Sequence, residues 1–376
     1  MKNQLLINGV IIDPDHPEQK NGVIGIQEGR FVDPLQINTD LAEIIDLKGA
    51  FVAPGFIDIH VHVFENHTIL GVNADEVGIT QGVTTIVDAG SSGVDDFSTF
   101  RENIINKNET EVLAFLNISR KGLVEGVHEL ENPDDLMSMY EATQIFSDNP
   151  SLVGIKLRLS RSVVGKQGIL PLLHAREIAD QINIPLMVHI GNPPPYLPDV
   201  FPILKKGDIV THAFHGKKYG ILDENEDLIQ EAKDALDRGV LFDIGHGSAS
   251  FSYNTLEKFK ERYPYTFTTS TDIHIQNIND SVGSLMVTMT KLLQLGYTLH
   301  DVVKSVTALP KNVLNLKDQG SFTFGTRGDV SIFRIIQQEA ILKDAEGYAK
   351  KTSQLMDPEI TIRNGKIVWK KLSTNE

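Results

Sequence analysis

The chain has 376 residues, 41% hydrophobic and 23% charged, an ordinary globular composition with room for a large core and a second domain. A formal net charge of −15 argues against nucleic acid as a partner, because phosphate binding needs a basic face. No cysteine is present, so disulfides and thiolate metal ligands are excluded and any metal must be held by nitrogen and oxygen.

Near the start, Leu5-Leu6-Ile7 is an apolar stretch that Asn8-Gly9 interrupts, too short for a signal-peptide core or a membrane span. The expected location is the cytoplasm, without a membrane partner. Residues 4–13 read as strand, turn, strand, since Asn-Gly favours the positive φ angles of a tight hairpin. Residues 22–33 repeat the pattern around Glu28-Gly29-Arg30. At the far end, residues 359–369 repeat it around Asn364-Gly365, and residues 328–333 alternate as a further strand. Both ends are therefore expected to build one small β-sandwich-like domain, residues 1–50 and 320–376, with residues 51–319 inserted between them.

The inserted part alternates strand and helix. Strands are expected over 56–63, 84–89, 111–118, 152–159, 185–191, 208–214, 240–245 and 266–273, with helices over 133–148, 169–182, 227–238, 254–262 and 281–295. Eight such units over roughly 250 residues predict an α/β fold of the (β/α)8 TIM-barrel type. A doubly wound open sheet is the alternative, but no Gly-rich phosphate fingerprint follows the first strand.

In such a barrel the chemistry sits at the C-terminal strand ends. The first strand ends in His60 and His62, two apart and so on one face, a pair that can grip a divalent cation or simply pack in a sheet. Lys156 lies on the fourth strand, His189 on the fifth, His212 on the sixth and Asp272 on the eighth. Each alone has a plain explanation: Lys156 could neutralise Asp243 or Asp272, and Asp272 could cap a helix. Together they predict a metal site. Candidate substrate contacts are Arg158, which shares the face of Lys156 and could take a carboxylate, His246 between Gly245 and Gly247, and Asn117 at the end of the third strand.

This pattern resembles the amidohydrolase superfamily: H-x-H after the first strand, Lys on the fourth, His on the fifth and sixth, Asp on the eighth. Pro54-Gly55-Phe56-Ile57-Asp58 and Gly82-Val83-Thr84-Thr85 match as well, and the resemblance covers nearly the whole chain. It looks most like the dihydroorotase-like branch that includes D-aminoacylases and related deacetylases. The resemblance implies two divalent metal ions, zinc being the expected pair, bridged by a carboxylated Lys156. His60, His62 and Asp272 would hold the more buried ion, His189 and His212 the other. It further implies a bridging hydroxide that attacks the substrate carbonyl, with Asp272 as general acid/base.

The main expectation is a hydrolase of an amide or ester acyl bond in a small molecule. An aminopurine deaminase and a cyclic-amide hydrolase are the alternatives. Mononuclear deaminases of the superfamily carry a glutamate soon after the fifth-strand histidine, and here that region is Ile190-Gly191-Asn192-Pro193. Dihydroorotases place an arginine just after H-x-H, where this chain has Val63-Phe64, and D-aminoacylases use a cysteine that this chain lacks. A non-catalytic scaffold would have lost ligands, and all six are present. A homo-oligomer is compatible with this reading.

Overall fold

The computed structural model describes residues 2–18 and 20–372. Its centre is eight parallel strands: β1 (Phe56–Val61), β2 (Val83–Ala89), β3 (Glu111–Asn117), β4 (Leu152–Leu159), β5 (Leu186–Ile190), β6 (Ile209–Thr211), β7 (Leu241–Asp243) and β8 (Phe267–Thr268). Each pairs with the next in chain order. The ring closes just past β8, where Ile273 bridges to Val61. There the Asp272 N–H donates to the His60 carbonyl at 2.7 Å and the His62 N–H to that of Ile273 at 3.0 Å. The fold is a (β/α)8 barrel, and its closing seam is formed by residues expected to hold metal.

Both faces of the strands are covered, so β1 is buried at every position. Ile57, Ile59, Val87, Leu113, Phe115, Met187 and Ile209 join Leu314 in one apolar cluster. Met187 links that cluster to the site, its Sδ lying 3.8 Å from the Lys156 Nζ. Helices Leu170–Ile182, Gln230–Arg238, Tyr253–Arg262 and Leu285–Gln294 fall where the periodicity placed them. The stretch 133–148 divides into a 3-10 turn, Pro133–Asp135, and a helix, Met139–Asp148. Ser138 makes the break, because it caps the second element reciprocally with Glu141. Among the described residues no helix is long and apolar enough to cross a membrane.

Two further sheets lie outside the barrel, the first from the N-terminal part alone and the second combining both chain ends. One runs Arg30–Val32, Ile24–Gln27, Gln4–Ile7, Glu43–Asp46, and the other Lys366–Lys370, Ala349–Arg363, Val330–Lys343, Phe51–Pro54, Val10–Ile11. Leu6, Ile11, Ile26 and Val52 from one end pack with Ile332, Ile360 and Ile362 from the other. The two Asn-Gly pairs behave differently. Asn364-Gly365 (φ 50° and 68°) turns a hairpin, as its sequence predicts. Asn8-Gly9 does not: Gln4–Ile7 pairs antiparallel with Ile24–Gln27, whereas Val10–Ile11 pairs parallel with Phe51–Pro54 in the other sheet. A Cβ on Gly9 would lie 2.6 Å from Leu47 Cδ1, so glycine here serves a tight crossing between sheets.

The C-terminal ribbon is much longer than its alternating pattern suggested. Its strands extend over Val330–Lys343 and Ala349–Arg363, and the tip reaches the barrel helices. Asp344 accepts the Tyr253 N–H at 3.0 Å, and Glu346 accepts the Ser252 hydroxyl at 2.6 Å. The extension is rich in exposed polar residues, among them Gln337, Gln338, Glu339, Lys343, Lys351, Ser353 and Gln354, which hid it from a hydrophobic count. Because Ile362 is fully buried where the two chain ends meet, Ile362→Ala should cost about 2–5 kcal/mol of stability. Urea denaturation would read this as a lowered midpoint, and an unchanged midpoint would contradict the shared core.

Candidate metal centre

The strand-end residues converge. His60 Nε2 lies 3.2 Å and His62 Nε2 3.1 Å from Asp272 Oδ1, and His212 Nε2 lies 4.0 Å from Asp272 Oδ2. One ligand atom from each of His60, His212 and Asp272 falls within 4.8 Å of the others. Lys156 Nζ is 3.0 Å from His60 Nε2. The His189 and His212 rings meet edge-on with centroids 4.2 Å apart, a consequence of the register that seats His189 beside Thr211.

The hydrogen bonds fix which nitrogens face inward. Thr211 donates its only hydroxyl proton to Asp243 Oδ2 at 2.7 Å, so its oxygen must accept the Nδ1–H of His60 at 2.8 Å. The Nε2 of His60 then carries a lone pair that faces the Asp272 carboxylate, with Lys156 Nζ as its one hydrogen-bonding neighbour. His212 donates from Nδ1 to the Gly245 carbonyl at 2.6 Å, leaving its Nε2 buried without a partner. Lone pairs and a carboxylate oxygen that face one another across 3–4 Å repel unless a cation stands between them. The donor set therefore fits a divalent ion with nitrogen and oxygen preference.

Outside the ligands lies a shell of buried acids and hydroxyls. Asp243 accepts from Thr211, Ser270 and Thr268. Asp58 accepts the Thr271 hydroxyl at 2.6 Å and the Thr271 and His60 amides. Ser91 holds the Nδ1 of His62 at 2.9 Å. The backbone is strained at two ligands, with φ of 63° at His212 and 49° at Asp272, conformations uncommon for side chains of this size.

Burial dominates the electrostatics. It drives His60 and His189 well below the ordinary imidazole range and His212 to about 3. Burial also lowers Lys156 to about 7 and raises Asp58 to about 7 and Asp243 to about 6. For Asp272 burial acts upward, but the adjoining His60 and His62 outweigh it and keep the carboxyl well below its usual range. His60, His189 and His212 are thus neutral and the Asp272 carboxylate ionised at neutral pH, the protonation states that metal ligation needs.

The three expected substrate contacts lie on or just after the expected strands, and each has polar partners within the protein. Asn117 is buried and consumed locally, donating to the Gly90 carbonyl at 2.9 Å and accepting the Ser119 N–H at 2.9 Å. His246 is fully buried and faces Lys291, whose Nζ donates to its Nε2 at 2.7 Å, while its Nδ1 donates to the Gly247 carbonyl. The neighbouring glycine serves Asp272 instead of a ligand, since a Cβ on Gly247 would lie 2.5 Å from Asp272 Oδ2. Arg158 does sit beside the site, but its Nε and Nη2 clamp both oxygens of Glu129 at 2.7 Å and Nη2 also meets the Val127 carbonyl. Thr211, Glu129 and Lys291 were not anticipated; only the lysine inside the apolar helix Leu285–Gln294 left a sequence signal.

Two outcomes follow. Thr211→Val removes the acceptor that orients His60, and a 10- to 100-fold weaker metal affinity is expected, about the usual effect of losing such a partner. Zinc retention against a chelator would measure it, and unchanged retention would refute the orientation argument. His246 and His215 are pushed down to about 3 and about 4, chiefly by burial. The unfolded chain therefore binds more protons than the folded one below the free-imidazole value of roughly 6.5. Stability of the metal-free protein should fall as pH drops from about 6.5 toward 4, and a flat profile over that window would count against it.

Comparison with known proteins agrees with this geometry. Residues 43–100 match the model of the amidohydrolase family. A protein named deacetylase from Enterococcus faecalis is 35% identical over 98% of both chains. Another from Brucella anthropi is 36% identical over 85% of this chain and 80% of its own. A crystal structure described as an adenine deaminase superposes with a TM-score of 0.92 at 34% identity, covering 99% of this chain and all of that one. The chain belongs to the amidohydrolase family and is a hydrolase of that family, built around a His/His/Asp group able to hold a metal ion.

Proposed function

We propose that this chain is a binuclear zinc-dependent deacetylase-type hydrolase, cleaving an amide or ester acyl bond of a small molecule. The observation that carries this is the bare Nε2 of His212, buried among His60, His189 and Asp272 with no partner. His60, His62 and Asp272 would hold one ion, His189 and His212 the other, with Lys156 between them. Burial lowers Lys156 to about 7, so a useful share of its amine is neutral and nucleophilic near physiological pH. Attack of that nitrogen on carbon dioxide would form an N–C bond and release one proton to solvent, giving a carbamate anion whose oxygens could serve as metal ligands. When bound, the ions supply Lewis acidity, polarising the substrate carbonyl and lowering the pKa of water.

The protein supplies the rest. Asp272, ionised and held by its backbone bond to His60 and by Asn277 on its own carbonyl at 2.9 Å, accepts the proton from the attacking water and passes it to the leaving group. The loop after His189, Gly191-Asn192-Pro193-Pro194-Pro195, brings no second acid. One acid/base group suffices for acyl cleavage. The names of the Enterococcus and Brucella relatives support the acyl reading, whereas the adenine deaminase superposition supports deamination as the second one.

The test records acid and ammonia release together from zinc-loaded protein given N-acyl amino acids, acyl esters, cyclic amides and aminopurines. Acid release is expected, falling about 10²- to 10⁴-fold in Asp272→Asn. Ammonia release from a purine, lost in the same variant, would replace the acyl reading with deamination.

A further inference from the structure

One fully buried cation has no part in the proposed reaction: Lys291, on helix Leu285–Gln294, whose buried side also carries Leu285, Met289 and Leu292. An ammonium carried from water into an apolar interior is costly unless its protons are taken up. Lys291 makes two hydrogen bonds, neither of them to a carboxylate. Its Nζ donates to His246 Nε2 at 2.7 Å and to the Ser281 carbonyl at 2.5 Å. His246 uses its Nδ1–H on the Gly247 carbonyl at 2.9 Å, so its Nε2 can only accept, and Lys291 is the donor that fills it.

The two acceptors lie on the two segments that flank Asp272. His246 belongs to the loop after β7, and Ser281 to the loop that runs from Asp272 into the helix carrying Lys291. Both loops are tied to the residues around the acid. The His246 and Gly247 N–H groups donate to the Ser270 and Thr271 carbonyls at 3.1 and 2.9 Å, immediately before Asp272. Gly247, at φ 52°, lies against the carboxylate, and a Cβ there would stand 2.5 Å from Oδ2. On the other loop Asn277 donates to the Asp272 carbonyl at 2.9 Å and accepts the His274 N–H at 2.9 Å. The Asp280 N–H, next to Ser281, returns to the Asn277 carbonyl at 3.1 Å. The two oxygens of Asp272 are engaged unequally. Oδ1 faces His60 and His62 at 3.2 and 3.1 Å, whereas Oδ2 stands 4.0 Å from His212 and rests on Gly247. Oδ2 is therefore the oxygen better placed to carry a proton, and its seat is the backbone that His246 and Lys291 hold. Asp272 is itself strained, at φ 49°, so it keeps its place only while its surroundings are fixed.

We propose that Lys291 is a positioning residue for the proton transfers assigned to Asp272: bonded to His246 on one loop and to Ser281 on the other, it clamps the two segments that seat Asp272 Oδ2. The proposal rests on Asp272 as general acid/base, and its test separates the two. Zinc-loaded wild type, Lys291→Met and the double variant Lys291→Met with His246→Leu are compared. The double variant removes both polar partners, so no buried acceptor is left unfilled between them. Amide exchange is followed by mass spectrometry. In parallel, kcat and KM are measured on phenyl acetate and on 4-nitrophenyl acetate, whose leaving group departs with less help from an acid. Lys291→Met should keep the wild-type zinc content and exchange faster over 245–251 and 273–283 alone. On phenyl acetate its kcat should fall about 10- to 100-fold with KM little changed. The loss should be smaller on 4-nitrophenyl acetate. The double variant should regain stability in urea without regaining kcat, and if Lys291→Met does not fold, the double variant is read by the same criteria. A rate retained in Asp272→Asn defeats the acid/base reading and the proposal with it. A wild type that cleaves neither ester defeats the acyl reading, and exchange then decides the clamp, faster exchange in those two segments supporting it. Unchanged exchange there, loss of zinc, an equal loss on both esters, or a kcat that returns with stability in the double variant overturns the proposal.

Discussion

The structure depends on one electrostatic constraint: several electron-pair donors are forced to face each other in a space from which water is largely excluded. Thr211 and Gly245 turn His60 and His212 so that their Nε2 lone pairs point inward, and Asp272 adds a charged oxygen 3.2 Å from the first. Without a cation this arrangement is repulsive, and in a low-dielectric interior the repulsion is strong. The shell of Asp58, Asp243, Ser91 and Ser270 holds it in place before any metal arrives. The positive φ at His212 and Asp272 is part of the same cost, carried by the surrounding barrel.

The barrel is what makes that cost bearable. The seam between β1 and the segment after β8 is closed by backbone bonds of His60, His62, Asp272 and Ile273, so the ligands are also structural. The terminal ribbon continues this logic outward. Through Asp344 and Glu346 it fixes the N-terminal end of helix Tyr253–Arg262, and Glu346 packs against Gly216 on the loop that follows β6.

Much of this was legible in the residues. Strand ends point to one face of a barrel, so His60, His62, Lys156, His189, His212 and Asp272 could be gathered from spacing alone once eight units were counted. What spacing cannot show is who pairs with whom. Arg158 has the right alternation for a substrate contact, yet Glu129, from a loop 29 residues earlier, claims it. His246 sits between glycines as a ligand-facing residue would, but the buried Lys291 draws it away. Asn8-Gly9 and Asn364-Gly365 are the same dipeptide, and only the second turns a hairpin, because strand partners are chosen by tertiary packing. Thr211 belongs to no motif and acquires meaning only from the atoms around it.

The central claim is that six side chains are arranged for two ions with Lys156 as the bridge. The most direct measurement is metal stoichiometry of protein loaded with zinc in bicarbonate, compared for the wild type and Lys156→Ala. The account predicts two ions per wild-type chain and one or none in the variant. One ion in the wild type, or two in the variant, would contradict it.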